Sequence, residues 1–411
     1  MRLAYVVSLF PKLSETFILR ELVELRRRGH EVTILSLKRE RETLVQEEAV
    51  PFKDCTLYPR YGWATIAAAL HWFSYRPVAL LTVLARMTLA HLGHPAILLR
   101  SLGLIPASLQ LAREVTRRRV EHLHAHWATY PALSAWIISR LTGVPFSVTG
   151  HAHDLLLPNP MLPVKLRDCC FFATISEFNR ALLIQKCGTI ALDRVRLIRC
   201  GIPLNAYPFA TARRTDSAGA DTPAVVVSVG RLVDYKGFDV LIRACAVLRD
   251  AGATVSCVIV GDGPEKERLA ALIGKLGLAR AVRLEPGHRQ AEVARLIAGA
   301  DIFALAAHPG RDGLHDGILV VLMEAMALGV PVISTKLSGI PELVADNRTG
   351  LLVAPGDAEH LAAAIRRLFG DPALAETLRR GGREMIEKEF ELGHAVDGLE
   401  TEMSRCRRRR R

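Results

Sequence analysis

Three groups of residues in this 411-residue sequence have types and spacings that could do chemistry. The first is Asp316 and Glu324, with seven uncharged residues between them, Gly317-Ile318-Leu319-Val320-Val321-Leu322-Met323. Leu322, Ala325, Met326 and Gly329 continue the spacing of a helix that is apolar almost all round, and such a helix is buried. Its N-terminus, fed by a Gly-rich loop, offers unpaired N–H groups and the positive end of the dipole to an anion. A carboxylate such as Glu324 on a buried helix is costly unless it meets a basic partner or a hydroxyl-rich ligand. The plainer alternative makes Asp316 an N-cap and Glu324 a satisfied core carboxylate. The second group is Arg231 and Lys236, between the apolar run Val225 to Val229 and a helix. Two cations at the carboxyl edge of a strand suit a diphosphate, with plain surface charge as the alternative. The third is His151, His153 and Asp154, at the end of the apolar run from Phe146 to Thr149. Two imidazoles and a carboxylate at a strand tip make a site candidate.

Strand, loop and helix recur along the chain, and these units must position the three groups. Leu3 to Leu9 reads as a strand that Pro11 breaks. Ser14-Glu15-Thr16 opens a helix in which Ile18, Leu22 and Leu25 share a face, and Gly29 ends it. Val32 to Leu37 is the next strand. Such βαβ units imply parallel sheets, whose ligand edge is the carboxyl edge of the strands. The loop with Ser14, Glu15 and Thr16 lies at that edge, and a simple Ser14 N-cap is its plain reading. His122, His124 and His126 alternate as on a strand, with no Cys or carboxylate at ligand spacing, so no metal site is expected. Pro131 to Leu141 reads as a helix, and Ser176 as the N-cap of another. Residues 210–223, ATARRTDSAGADTP, read as a linker. The expected domains are therefore 1–209 and 224–390, with 391–411 holding a last helix and a basic tail.

Half of the residues are hydrophobic and the formal net charge is +12. The length allows two ordinary domains, and the charge favours phosphate-bearing substrates or an anionic membrane surface. Nucleic acid is not expected, because zinc-finger spacing, an RNP-like string and a helix-turn-helix signal are all missing. Eight cysteines without a CxxC pair or regular spacing read as free thiols in a reducing cytosol. The start, MRLAYVVSLFPKLSE, reads as a buried strand rather than a signal peptide, which places the chain in the cytoplasm. Residues 61–112 hold long charge-free runs, none of which reaches the roughly 20 apolar residues of a bilayer span. They read either as core helices or as a patch lying on the inner membrane leaflet. The tail from Arg405 to Arg411 is either solvated or in contact with lipid head groups.

The string from Asp316 to Glu324, followed by AMALGVPVIST, GIPELV and GLLV, resembles the nucleotide-sugar motif of family 4 retaining glycosyltransferases of GT-B fold. The usual motif has Glu at both ends. Asp at position 316 resembles the colanic-acid type of exopolysaccharide enzyme, as does SETFI near the N-terminus. The resemblance implies an α/β fold of two doubly wound Rossmann-like domains facing a cleft. It implies transfer of a sugar, with retention, from a UDP- or GDP-sugar to a lipid-linked or oligosaccharide acceptor. By the same resemblance Arg231 and Lys236 hold the donor diphosphate, with Gly317, Ile318 and Leu319 at the helix N-terminus. Glu324 holds the ribose, Gly287 and His288 face the base, Asp316 holds the donor sugar, and His151 and Asp154 sit by the reacting sugar. No metal or other cofactor is implied; the expected location is the cytoplasm, with contact to the inner membrane face as the alternative that residues 61–112 and the basic tail leave open. Two other classes remain: a nucleotide-sugar epimerase of the same fold, which would require a set of carboxylates near the sugar, and a non-catalytic carbohydrate-binding scaffold, which would not need Arg231, Lys236 and Glu324.

Overall fold

The computed structural model describes residues 1–39, 44–210 and 223–408. The chain divides into two compact units, Met1–Arg199 with Ala395–Arg411, and Cys200–His394. Residues 200–209, read from sequence as the end of the first domain, belong to the second unit, where Ile202 forms a bridge with Glu391. Of the expected linker, residues 211–222 lie outside the described residues.

The first unit holds a seven-stranded sheet built from β1 (Arg2–Phe10), β2 (Glu31–Arg39), β3 (Thr56–Leu57), β4 (His122–His126), β5 (Phe146–Gly150), β6 (Phe172–Thr174) and β7 (Val195–Leu197). The strands lie in the order β3-β2-β1-β4-β5-β6-β7, and every pair is parallel. The second unit repeats the plan with β8 (Ala224–Val229), β9 (Val255–Val260), β10 (Val282–Glu285), β11 (Ile302–Ala304), β12 (Val332–Thr335) and β13 (Leu351–Val353), ordered β10-β9-β8-β11-β12-β13 and again parallel. Helices cover both faces of such sheets, which is why the strands read as near-continuous apolar runs. The strand order reverses direction between β1 and β4 and between β8 and β11. Loops leaving those two pairs splay to opposite sides and open a crevice at the carboxyl edge.

The helix after β1 runs Thr16–Arg27 and buries Ile18, Leu19, Leu22 and Leu25. Its N-cap is Glu15, without a side-chain cap bond, so the Ser14 N-cap is not formed. Ser176 does cap its helix, accepting the Asn179 N–H at 3.1 Å. The expected Pro131 to Leu141 helix runs Tyr130–Thr142 and is buried along most of its length.

The apolar stretch 61–112 is not simply core. Helices Trp63–Tyr75, Pro77–Ala90 and Pro95–Leu102 each bury a narrow stripe and leave large apolar side chains exposed. The next helix, Ile105–Arg117, is amphipathic and packs Leu109, Leu111, Ala112 and Val115 into the core of the first unit. Residues 95–117 together are long and apolar enough to cross a membrane by length and composition, contrary to the expectation from sequence. A break at Gly103 and Leu104 and the buried second half make that stretch two helices of a folded domain.

The last helix, Leu392–Arg408, joins the first unit from Ala395 onward. Arg28 pairs with Asp397 at 2.5 Å and with Glu400 at 2.6 Å, and Arg407 with Glu121 at 3.1 Å. The described part of the basic tail is therefore helical, with Arg405 and Arg407 ion-paired, and Arg409 to Arg411 lie outside the described residues.

Candidate active site

In the second unit the predicted residues gather at the carboxyl edge of β8 and β11. Arg231 follows β8, and Lys236 closes a short 3-10 turn, Asp234–Lys236. Gly237 comes next with φ +69, and a Cβ there would fall 1.8 Å from the carbonyl oxygen of Ala306 after β11. Any side chain would push the two loops apart, so glycine is required twice over. The loops are stitched by Asp234, which accepts the N–H groups of Tyr235 at 2.9 Å and Arg311 at 3.0 Å. The His308 backbone N–H adds a bond to the Tyr235 carbonyl at 3.0 Å. This frame brings Lys236 Nζ to 2.9 Å from Asp316 Oδ2, so two residues 80 positions apart form an ion pair. Arg231 is exposed and donates from Nη2 to Tyr235 Oη at 3.0 Å. Burial, then the Asp316 charge, push the Tyr235 hydroxyl above its ordinary pKa, so it stays protonated.

The central helix is shorter than its apolar spacing suggests. It runs Val320–Ala327, with Leu319 rather than Asp316 as N-cap and no side-chain cap bond. Glu324 therefore lies just over one turn in, is 3 % exposed, and sits among buried Leu322, Met323, Ala325 and Met326. Gly317, Ile318 and Leu319 are buried and lead into the uncapped first turn. Gly287 and His288 lie in the loop after β10. The Gly287 N–H bonds Asp262 at 2.7 Å, and His288 Nε2 lies 3.3 Å from Glu285.

In the first unit the edge of β1, β4 and β5 carries a second cluster. His151 follows β5, is 7 % exposed, and packs against Phe17 and Trp127 with ring centroids 4.6 Å away in each case. Trp127, just past β4, holds φ +79, a strained conformation for a bulky residue and a mark of functional positions. Asp154 is buried and spends both oxygens on backbone. One accepts from His151 N at 2.9 Å and Ala152 N at 3.2 Å, the other from Ala128 N. Its geometry is that of a positioning residue for the His151 turn. His153 opens the short helix His153–Leu156. Ser14 is exposed, and Glu15 pairs with Lys12 at 3.2 Å.

Behind His151 lies a relay that the sequence reading missed. His126 Nδ1 is 3.1 Å from His151 Nε2, and His126 Nε2 is 3.2 Å from Glu21 Oε1, which also accepts from Tyr5 Oη at 2.5 Å. A carboxylate can only accept, so His126 carries its proton on Nε2 and its lone pair on Nδ1. His151 then donates from Nε2 and keeps its lone pair on Nδ1. Burial, then neighbouring His126, hold His151 well below the ordinary imidazole pKa, so it is neutral at neutral pH. The expectation that no carboxylate joins the histidines of β4 is thus corrected, since Glu21 arrives from the Thr16–Arg27 helix. Ligand atoms of Glu21, His124 and His126 lie within 4.8 Å of one another, as do those of His122, Cys170 and Cys406. These are the groups that could hold a metal ion among the described residues. In the first, His124 Nε2 already meets Thr149 Oγ1 at 2.9 Å, and Nδ1 meets Ser147 Oγ at 2.8 Å.

Two parallel-sheet units of Rossmann type, each with polar residues at its switch point, are the architecture of the GT-B fold. The chain superimposes on the crystal structure of Anabaena Alr3699/HepE in complex with UDP-glucose with a TM-score of 0.73, covering 98% of this chain and 99% of that one at 19% identity. The family model for glycosyl transferases group 1 matches residues 211–385, and that for glycosyltransferase family 4 matches residues 14–206. The chain belongs to this glycosyltransferase family. It is 31% identical over 416 residues to the putative colanic acid biosynthesis glycosyltransferase WcaL of Escherichia coli, covering 95% of this chain and 96% of the relative. It is 39% identical over 168 residues to the amylovoran biosynthesis glycosyltransferase AmsK of Erwinia amylovora, covering 41% of each.

Proposed function

We propose that the protein transfers a sugar, with retention of configuration, from a UDP- or GDP-sugar to a lipid-linked or oligosaccharide acceptor in exopolysaccharide assembly at the cytoplasmic side of the membrane. The observation that carries the donor half is the frame after β8 and β11, which holds Arg231, Lys236 and Asp316 together beside the uncapped start of the Val320–Ala327 helix. In this reading Arg231 and Lys236 take the diphosphate, and the N–H groups around Gly317, Ile318 and Leu319 add partial positive charge. They stabilise the leaving nucleotide as its negative charge develops, the work a divalent ion does in other transferases. Glu324 accepts the ribose hydroxyls, and Asp316 accepts a hydroxyl of the donor sugar. Gly287 and His288 stand at the base. His151, neutral and fixed by His126 and Glu21, stands by the reacting sugar, with Asp154 holding its turn. Ser14, Glu15 and Thr16 border the donor phosphate or the acceptor. The complex of HepE with UDP-glucose supports a nucleotide-sugar donor. The names of WcaL and AmsK support the exopolysaccharide assignment.

The test is calorimetric binding of UDP and GDP to the wild type, Lys236→Ala and Glu324→Ala. Tight binding of one nucleotide, lost in both variants, supports the donor site and identifies the base. A folded wild type that binds neither nucleotide overturns the reading.

A further inference from the structure

The three helices after β3 are apolar on two sides, and the described residues cover only one of them. Along Trp63–Tyr75 the buried positions are Ala68 and Trp72, and Trp72 Nε1 donates to the Leu109 carbonyl at 2.8 Å. Trp63, Ile66, Leu70 and Phe73 form a second stripe at the same helical spacing, and all are exposed, Trp63 at 84%. Along Pro77–Ala90, Val83 and Met87 face inward while Val78, Leu81 and Leu89 face solvent, Val78 at 75%. Leu92 and Leu99 extend the exposed set into the third helix. Scattered exposed apolar side chains are ordinary, but ordered outward stripes on adjacent helices mark a surface that meets something.

Charge decides what it meets. Between Asp54 and Glu114 the chain carries five arginines and no carboxylate. Arg60, Arg76 and Arg100 are exposed within it. Arg86 is spent on Asp168 at 2.7 Å. Aromatic rings flank the exposed cations, Tyr61 and Trp63 beside Arg60, and Phe73 and Tyr75 beside Arg76. Apolar stripes, interfacial aromatics and arginines without acids match the head-group region of an anionic bilayer. A second copy of this chain fits poorly, because two such faces would bring only like charges together. The helices have 13, 14 and 8 residues, too short to span, so they lie along the surface.

We propose that the outward face of helices Trp63–Tyr75, Pro77–Ala90 and Pro95–Leu102 docks this protein in the plane of a bilayer containing anionic phospholipid. Its purpose, delivery of a lipid-linked acceptor, rests on the proposed transferase function; the docking itself does not.

The test is sedimentation of the full-length chain with vesicles of phosphatidylglycerol and phosphatidylcholine, against phosphatidylcholine alone. The wild type is expected to sediment with the anionic vesicles, with a blue shift in tryptophan emission that Trp63→Phe diminishes. Replacing Trp63, Leu70 and Phe73 together by Ser is expected to weaken binding by about tenfold or more. These side chains are exposed, so melting temperature and UDP binding should be retained. Replacing Arg60, Arg76 and Arg100 by Ser is expected to remove the preference for anionic vesicles. A wild type that stays in the supernatant overturns the proposal, as does a triple Ser variant that binds like wild type. So does a stable dimer in solution that the same variants dissociate. Vesicle binding without UDP binding would leave docking standing and sink the donor site, and the converse would do the reverse.

Discussion

The Lys236–Asp316 pair makes opposite predictions for its two members. With Nζ 2.9 Å from Oδ2, Asp316 neutralises the cation assigned to the diphosphate. A phosphate oxygen on the far side of Nζ stands roughly 6 Å from the carboxylate, the sum of two ion-pair distances. At an effective dielectric between 20 and 80, repulsion over that distance is roughly 1–3 kcal/mol. Screening at a partly exposed site favours the lower end. Asp316→Asn should therefore tighten binding of UDP alone by about fivefold while lowering turnover of the UDP-sugar, because the sugar loses its acceptor. Lys236→Met removes a charge-assisted contact of about 1.5–3 kcal/mol and should weaken UDP by roughly 10–100-fold. Both effects should shrink as salt is raised. Calorimetry at low and high ionic strength reads the affinities, and nucleotide affinity is a cleaner readout than global unfolding of a two-unit chain. Weakening of UDP by Asp316→Asn to the extent seen with Lys236→Met would refute the reasoning. It would show that Asp316 contacts the nucleotide rather than opposing it.

Glu324→Gln keeps the shape of a buried side chain and should cost about tenfold to a hundredfold in UDP affinity with little change in melting temperature; unaltered affinity would remove Glu324 from the ribose. Glu21→Leu removes the acceptor that fixes the His151 tautomer through His126, so turnover should fall about tenfold to a hundredfold while UDP affinity holds; equal loss of both would point to a folding defect instead. Buried His122 is pushed down to about 3 by burial, and His124 and His151 shift in the same direction. A depressed imidazole contributes stability above its unfolded pKa and loses it as pH falls through the window from about 6.5 to 3. His122 alone should cost roughly 2 kcal/mol at pH 5 relative to pH 7.5. The melting temperature should drop across that window, and His122→Asn should flatten the fall. An unchanged slope would show that His122 is not held neutral.

The residues proposed for the donor side could be singled out in the sequence because their signals are local. The Asp316 to Glu324 spacing, the cations after an apolar run and the alternation of strand and helix are each written within one βα unit, where periodicity and charge spacing act directly. The same local logic misplaced the start of the Val320–Ala327 helix, since apolar composition does not show where a buried helix begins. It also stopped the first domain too late, because residues 200–209 are assigned by what they pack against.

The first unit was harder for a matching reason. Glu21, Tyr5, His126 and His151 come from four separate elements, and no spacing along the chain links them. Parallel pairing sets Tyr5 opposite His124 and puts β1 beside β4, which turns scattered polar residues into one relay. Sequence by itself determined the two parallel-sheet domains, the spacing of Asp316 and Glu324 and the want of carboxylates between Asp54 and Glu114. Tertiary structure alone decided which cation meets which carboxylate, which histidine is held neutral, and which stripe of each apolar helix is left uncovered. The reason is that hydrophobic periodicity is a property of one segment, while pairing, desolvation and coverage are properties of neighbours the chain supplies from elsewhere.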